Sequence, residues 1–375
     1  MRKMAMCAVV SVAAMTAGCA SLDDGGFDAT RTAAIGQSIS SVIGDKRMPG
    51  AVFRLEQGPR VYAQAFGHIS YDADAAAVTH DTIFDVASLT KVLATAPSVL
   101  LLVEQGKIDL DAPVARYFPE CGGGDKDAIL VRHLLTHTSG LKAGLPAKPA
   151  WEGAAAAQAL ACAAVPTHPA GTYFRYSDIN YILLGRLVEA VSGERLDAFA
   201  DKHIFRPLGM RDTSYLPLAR GWHDRIAPTQ PGSKGEVHDP TAHRMGGVGG
   251  SAGVFSTAGD IARFARMLLN GGELEGVRVL SEQSVRLMTT PQTADGIAEL
   301  RGMGMDINSP FARPRGSIFP VGSYGHTGFT GCFMWVDPAS GTFYVFLSNR
   351  VYPDGAANIL SLYGELGTLA GQAAQ

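Results

Sequence analysis

In the stretch FDVASLTKVLAT, Lys91 stands three residues after Ser88, ahead of a run that reads as helix. Residues three apart share a helix face, so the Ser88 hydroxyl and the Lys91 ammonium point into a common space. A serine in a first helical turn also sits among unpaired backbone N–H groups, at the positive end of the dipole, where developing negative charge is favoured. Lysine shifts its pKa readily when desolvated: a neutral Lys91 would accept the serine proton, and a charged one would stabilise the alkoxide. Taken alone, the same spacing describes an N-cap serine followed by a solvated lysine. The surrounding motifs decide between the two.

Those motifs arrive in order. FRYSDINY carries Tyr176, Ser177 and Asp178, and YGHTGFTG carries His326, Thr327 and Gly328 at the head of a β-prone run. The ordered set Ser-x-x-Lys, Tyr-x-Asn and Lys-Thr-Gly is the signature of penicillin-recognising serine hydrolases. The chain resembles that family, in the branch of class C β-lactamases, D-alanyl-D-alanine peptidases and related esterases. MPGAVF, HLLTHTSGL, PAGTYFRYSDINYILLG and GGVGGSAGVFSTAGDIARF extend the resemblance over residues 35 to 365. It implies Ser88 as the nucleophile of an acyl-enzyme, Lys91 as the group that helps to deprotonate it, and Tyr176 as a general base or acid near the leaving group. It also implies an oxyanion hole from the backbone N–H groups of Ser88 and Phe329, and substrate contacts from His326, Thr327 and Gly328. No metal or organic cofactor is implied.

Departures from the pattern bear on the substrate. Asp178 replaces the Asn of the second motif, an acceptor-only carboxylate where an amide would offer donors to a substrate carbonyl, and Lys91 is its expected partner. His326 replaces the Lys of the third motif, which makes a permanent charge pH-dependent. Both weaken the case for an efficient β-lactamase. HDPTAHRMGGVGGSAGVFST and LSNRVYPD look like the subgroup of periplasmic penicillin-binding carboxypeptidases and muropeptide amidases, which usually carries His where this chain has Ser251. Arg350 in LSNRVYPD can bind a substrate carboxylate, or close a salt bridge after the last strand. The expected function is an exported hydrolase of peptidoglycan-derived peptides, of D-alanyl-D-alanine carboxypeptidase or muropeptide amidase type. The alternatives are an esterase on short acyl esters, a weak β-lactamase, or a pure penicillin binder, which would have no need of an intact Ser88, Lys91 and Tyr176.

The elements that must position these residues give an α+β expectation. Residues 49 to 68 alternate around Gly58 and Pro59 as a β-hairpin, and HTGFTGCFMWVD and GTFYVFLSN flank PASG as a second. Between them AAAAQALACAAV, DINYILLGRLVEAVSG and AGDIARFARMLLNGG read as helices. N- and C-terminal strands (about 35–115 and 291–370) are expected to join in one antiparallel sheet, with a mostly helical part inserted over about 116–290.

The first residues belong to a different class of sequence. MRK, MAMCAVVSVAAM and TAGC lay out an export signal over residues 1–18, with an apolar run too short to span a bilayer. TAGC resembles a bacterial lipoprotein signal, which implies Cys19 as a lipidated first mature residue, although Thr16 stands where such signals usually carry Leu. Residues 19–34 then read as a tether, placing the domain in the periplasm at a membrane. With 32 Lys plus Arg against 35 Asp plus Glu and no dense basic run, no nucleic-acid footprint exists. Cys121, Cys162 and Cys332 are an odd set in the body, with Cys121 and Cys162 a candidate disulfide. His133 and His137 have zinc-like spacing but lack a nearby Glu or third ligand, and read as part of a turn held by polar side chains. GGVGGSAG lacks the ending of a phosphate loop and reads as a close backbone approach to the cleft floor.

Overall fold

A computed structural model describes residues 25–375. The expected signal, Cys19 and the start of the tether lie outside these residues. The expected tether ends earlier than residue 34: Phe27 is buried beneath the Arg60 guanidinium, and a helix spans Ala29–Gly44 from an Asp28 cap that accepts the Arg31 N–H. Its buried Thr32, Ile35, Ile39 and Val42 fall at helical spacing, which a solvated linker would not show.

Seven strands form one antiparallel sheet in the order Arg60–Gly67, Gly50–Gln57, Thr342–Ser348, Cys332–Asp337, Tyr324–Gly328, Asp306–Asn308 and Leu300–Arg301. Both expected hairpins are present, and the first strand pairs with the last, from Ala51 opposite Ser348 to Gln57 opposite Thr342. Side chains alternate across the sheet. Phe53, Trp335, Tyr344 and Phe346 face the helices Ala29–Gly44 and Leu360–Ala373. Val52, Met334, Val345 and Leu347 face the layer that holds the nucleophile helix. The interior strand Thr342–Ser348 is buried along its whole length, which explains its unbroken apolar run.

The inserted part contains the helices Ala154–Ala163 and Asp178–Ser192, the latter stopped by Gly193 at φ +74°. Cys121 and Cys162 are joined, which fastens the first of these helices to the preceding loop. The helix Ala258–Leu269 belongs elsewhere than expected. Its Arg266 holds both oxygens of Glu56, at 2.7 and 2.8 Å, and its alanine-rich face shares a core with the sheet. Small side chains at Ala262 and Ala265 let it lie close on the strands, so the sheet part reclaims this helix from the 116–290 segment.

Candidate active site

The nucleophile segment is not one regular helix. A 3₁₀ turn over Ala87–Leu89 leads into a wide π turn over Lys91–Thr95, and α-helix runs only from Ala96 to Glu104. Ala87 takes a left-handed φ of +46°, a conformation that costs an L-residue about 1–2 kcal/mol. The Asp85 carboxylate holds that kink, accepting the Ala87 N–H at 2.8 Å. Ser88 thereby faces the cleft with Lys91 beneath it.

Lys91 is fully buried, and its ammonium donates to Ser88 Oγ at 3.1 Å and to the Ser251 carbonyl at 2.8 Å. Asp178 Oδ1 lies 2.7 Å away, the partner expected from sequence. Burial alone would push this ammonium down, but Asp178, with help from Tyr176, outweighs it and holds the lysine above its ordinary value. A charged Lys91 in this place would stabilise an alkoxide at Ser88, the second of the two roles that the sequence allows. Its Nζ lies 5.0 Å from the centre of the Tyr176 ring. That ring is packed between His137 at 4.4 Å and Phe311 at 5.0 Å.

His137 and His133 each accept a backbone N–H through Nδ1, from Ser177 and Leu130: the second bond closes its own turn, and the first ties that turn to the Tyr176 segment. His326 departs from expectation. It is 3% exposed, behind Tyr176, and burial followed by the Arg301 and Lys91 charges holds it well below the usual histidine range. It stays neutral and is no switchable cation for a substrate carboxylate, because desolvation and two neighbouring cations oppose its protonation. Its Nδ1 lies 2.8 Å from the Thr327 carbonyl. Arg301, itself fully buried and 3.2 Å from Asp306, carries no sequence signal; burial first and its charge second hold His137 below the usual histidine range as well.

Thr327 and Gly328 line the cleft as expected. A Cβ on Gly328 would fall 2.4 Å from the Val86 carbonyl, so this strand runs directly against the nucleophile turn. The next residue, Phe329, lines the same cleft as Ser88. The Phe329 ring is 61% exposed at the cleft mouth, stacked on His238 with the Arg350 guanidinium 4.5 Å from its centre. Arg350 closes no salt bridge among the described residues; it donates to the carbonyls of Phe329 and Ala357 and lines the cleft. The cleft measures about 710 Å³. The close backbone approach of the glycine-rich stretch is to the helix Asp178–Ser192, where a Cβ on Gly250 would meet the Tyr181 carbonyl at 2.0 Å, and the Ser251 and Ala252 that follow line the cleft.

Asp85 carries no sequence signal, since an acid three residues before a serine is usually a surface group. Here it is 2% exposed, and besides Ala87 it accepts the His238 N–H at 2.7 Å, tying the nucleophile turn to the cleft wall. Burial, against those two N–H bonds, raises its pKa from 3.8 to about 6. Folded Asp85 thus binds its proton more tightly than the unfolded chain does, and its contribution to stability falls as pH rises from 3.8 to about 6. Asp85→Asn has no such proton. Urea unfolding should show wild type losing roughly 2 kcal/mol relative to this variant between pH 4 and pH 7, and parallel profiles would refute the assignment.

A serine backed by a buried lysine, with a tyrosine beside it on an α+β fold, is the arrangement of a serine hydrolase. The chain belongs to the β-lactamase family, whose pattern matches residues 31–365. It is 32% identical over 331 residues to a protein of Escherichia coli strain K12 named "Putative D-alanyl-D-alanine carboxypeptidase", covering 77% of this chain and 75% of that one. A similarly named protein of Escherichia coli O157:H7 is also 32% identical, over 367 residues, covering 87% and 83%. Among solved structures, a class C β-lactamase superposes with a TM-score of 0.73 at 22% identity, covering 92% and 97%. A penicillin-binding protein homologue from Caulobacter crescentus gives 0.72 at 23%, covering 91% and 97%. At these identities the structures establish the fold.

Proposed function

We propose that this serine hydrolase acts on peptidoglycan-derived peptides, in the manner of a D-alanyl-D-alanine carboxypeptidase or muropeptide amidase, after export and tethering through Cys19. Arg350 carries the reading. A peptide that ends in a free carboxylate needs a cation in the cleft, and Lys91 is already neutralised by Asp178 while His326 is neutral and buried. Among the residues lining the cleft, Arg350 is the one that still presents a positive charge, with no acidic partner among the described residues. The carboxypeptidase names of the Escherichia coli relatives point the same way. Ser88 would attack the peptide carbonyl, the amine would leave with a proton routed through Tyr176, and water would release the acyl group. The apolar faces of Phe311 and Phe329 favour a second reading, an esterase on short acyl esters.

Mass spectrometry of a muropeptide mixture incubated with the mature protein separates these. Loss of a terminal alanine establishes the carboxypeptidase, and release of peptide from sugar establishes the amidase. An unchanged mixture with turnover of simple aryl esters establishes the esterase. Arg350→Gln should raise KM for carboxylate-ended substrates by about tenfold or more, with a smaller effect on kcat.

A further inference from the structure

Three segments of the cleft wall meet on one residue that does not itself reach the cleft. Asp85 is 2% exposed and is not among the groups that line the cavity, whereas Ala87, His238 and Phe329 all line it. One oxygen of its carboxylate accepts the Ala87 N–H at 2.8 Å, and the other accepts the His238 N–H at 2.7 Å. The Asp85 carbonyl in turn accepts the hydroxyl of Thr330, the residue after Phe329, at 2.7 Å. The His238 and Phe329 rings then stack on each other, with centroids 5.7 Å apart.

The residue type matters as much as its place. An asparagine carries one acceptor and two donors, so it can serve only one of the two N–H groups, while a carboxylate serves both. Burial opposes the ionised form of Asp85, and no cation pairs with it among the described residues. The fold keeps the acid nonetheless, at the point where Ala87 is held at a φ of +46° directly before the nucleophile. An alanine released from that restraint would relax out of the left-handed region. The Ser88 hydroxyl, now 3.1 Å from the Lys91 ammonium, would turn with it.

We infer that Asp85 is a positioning residue for acylation: its carboxylate locks the left-handed turn that aims Ser88 and ties that turn to the His238 and Phe329 wall. Nucleophile and cleft wall thereby keep one fixed relation. The inference rests on Ser88 as the nucleophile, and is independent of which peptide bond is cut.

The test measures turnover of p-nitrophenyl butyrate, a small acyl donor without a carboxylate, with Ser88→Ala protein as the background. Asp85→Asn should lower kcat by about tenfold or more, the scale of a misplaced reacting group, while KM stays within about twofold. Adding Ala87→Gly supplies a residue that takes positive φ without strain, and should return most of the lost kcat. A merely structural Asp85 would lower the unfolding midpoint and leave kcat per folded molecule as it was. Asp85→Glu keeps both acceptors but moves them by one methylene, so it should show the same split and serves where the Asn variant does not fold. Unchanged kcat per folded molecule, a rise in KM alone, or a kcat that Ala87→Gly fails to restore would each overturn the inference. Wild-type protein no faster than Ser88→Ala would overturn the acyl-enzyme beneath it, which tells that failure apart from a failure of Asp85.

Discussion

Replacing Ser88 by alanine is expected to lower kcat on any substrate by roughly 10⁴-fold or more, the scale seen when a nucleophile is removed from a site whose members act as a unit. The variant should also gain no mass from a penicillin or other acylating reagent, while the parent protein gains one adduct. The fold should be untouched. Ser88 gives up one hydrogen bond, and Lys91 keeps the Ser251 carbonyl and Asp178. The kink at Ala87 is held by Asp85 rather than by the serine. An unaltered melting temperature with turnover lost is the expected result, and a variant that still forms an adduct would remove Ser88 from the mechanism.

Asp178→Asn should have the second largest effect. The change restores the amide usual in the family and takes the counter-charge from a lysine with no solvent exposure. Burial then prevails, and the Lys91 pKa should fall from above its ordinary value to below it. Since the charged form stabilises the alkoxide, kcat should drop by about 10²-fold at neutral pH, and an alkaline limb should enter the pH–rate profile well below that of the parent. Stability should fall by about 2 kcal/mol near neutral pH, less than for a fully buried pair because Asp178 is 36% exposed. In the parent, the raised Lys91 value means its stabilising contribution is complete below the unfolded value of 10.5 and lost only in stronger alkali. A variant with an unchanged profile would show that Asp178 does not set the charge of Lys91.

The parts of this site that sequence makes legible are those carried by short-range pattern. Ser88 and Lys91 follow from helical spacing, the pairing of Asp178 with Lys91 from charge, and both hairpins from alternation around turn residues. Long-range burial leaves no such mark. Nothing local to His326 announces that Arg301 and Lys91 would crowd it into neutrality, and nothing local to Asp85 shows that its two oxygens receive N–H groups from positions 87 and 238. The helix Ala258–Leu269 is legible as a helix, but the Glu56 that fixes its place lies 210 residues away. The helix Ala29–Gly44 is hard to read locally for a related reason: its polar neighbours resemble a linker until its apolar stripe meets the sheet.

The pairing of the first strand with the last has a consequence in time. Gly50–Gln57 leaves the ribosome early, yet its partner Thr342–Ser348 is made almost three hundred residues later, and until then one edge of the first hairpin lacks its neighbour. Contacts of such separation are slow to form because loop closure must precede any gain from them. The strand Tyr324–Gly328, which runs against the nucleophile turn, belongs to the same late segment. A nascent chain therefore carries Ser88 long before the strand Tyr324–Gly328 that packs against its turn, and the cleft is complete only when the late strands have joined the first hairpin.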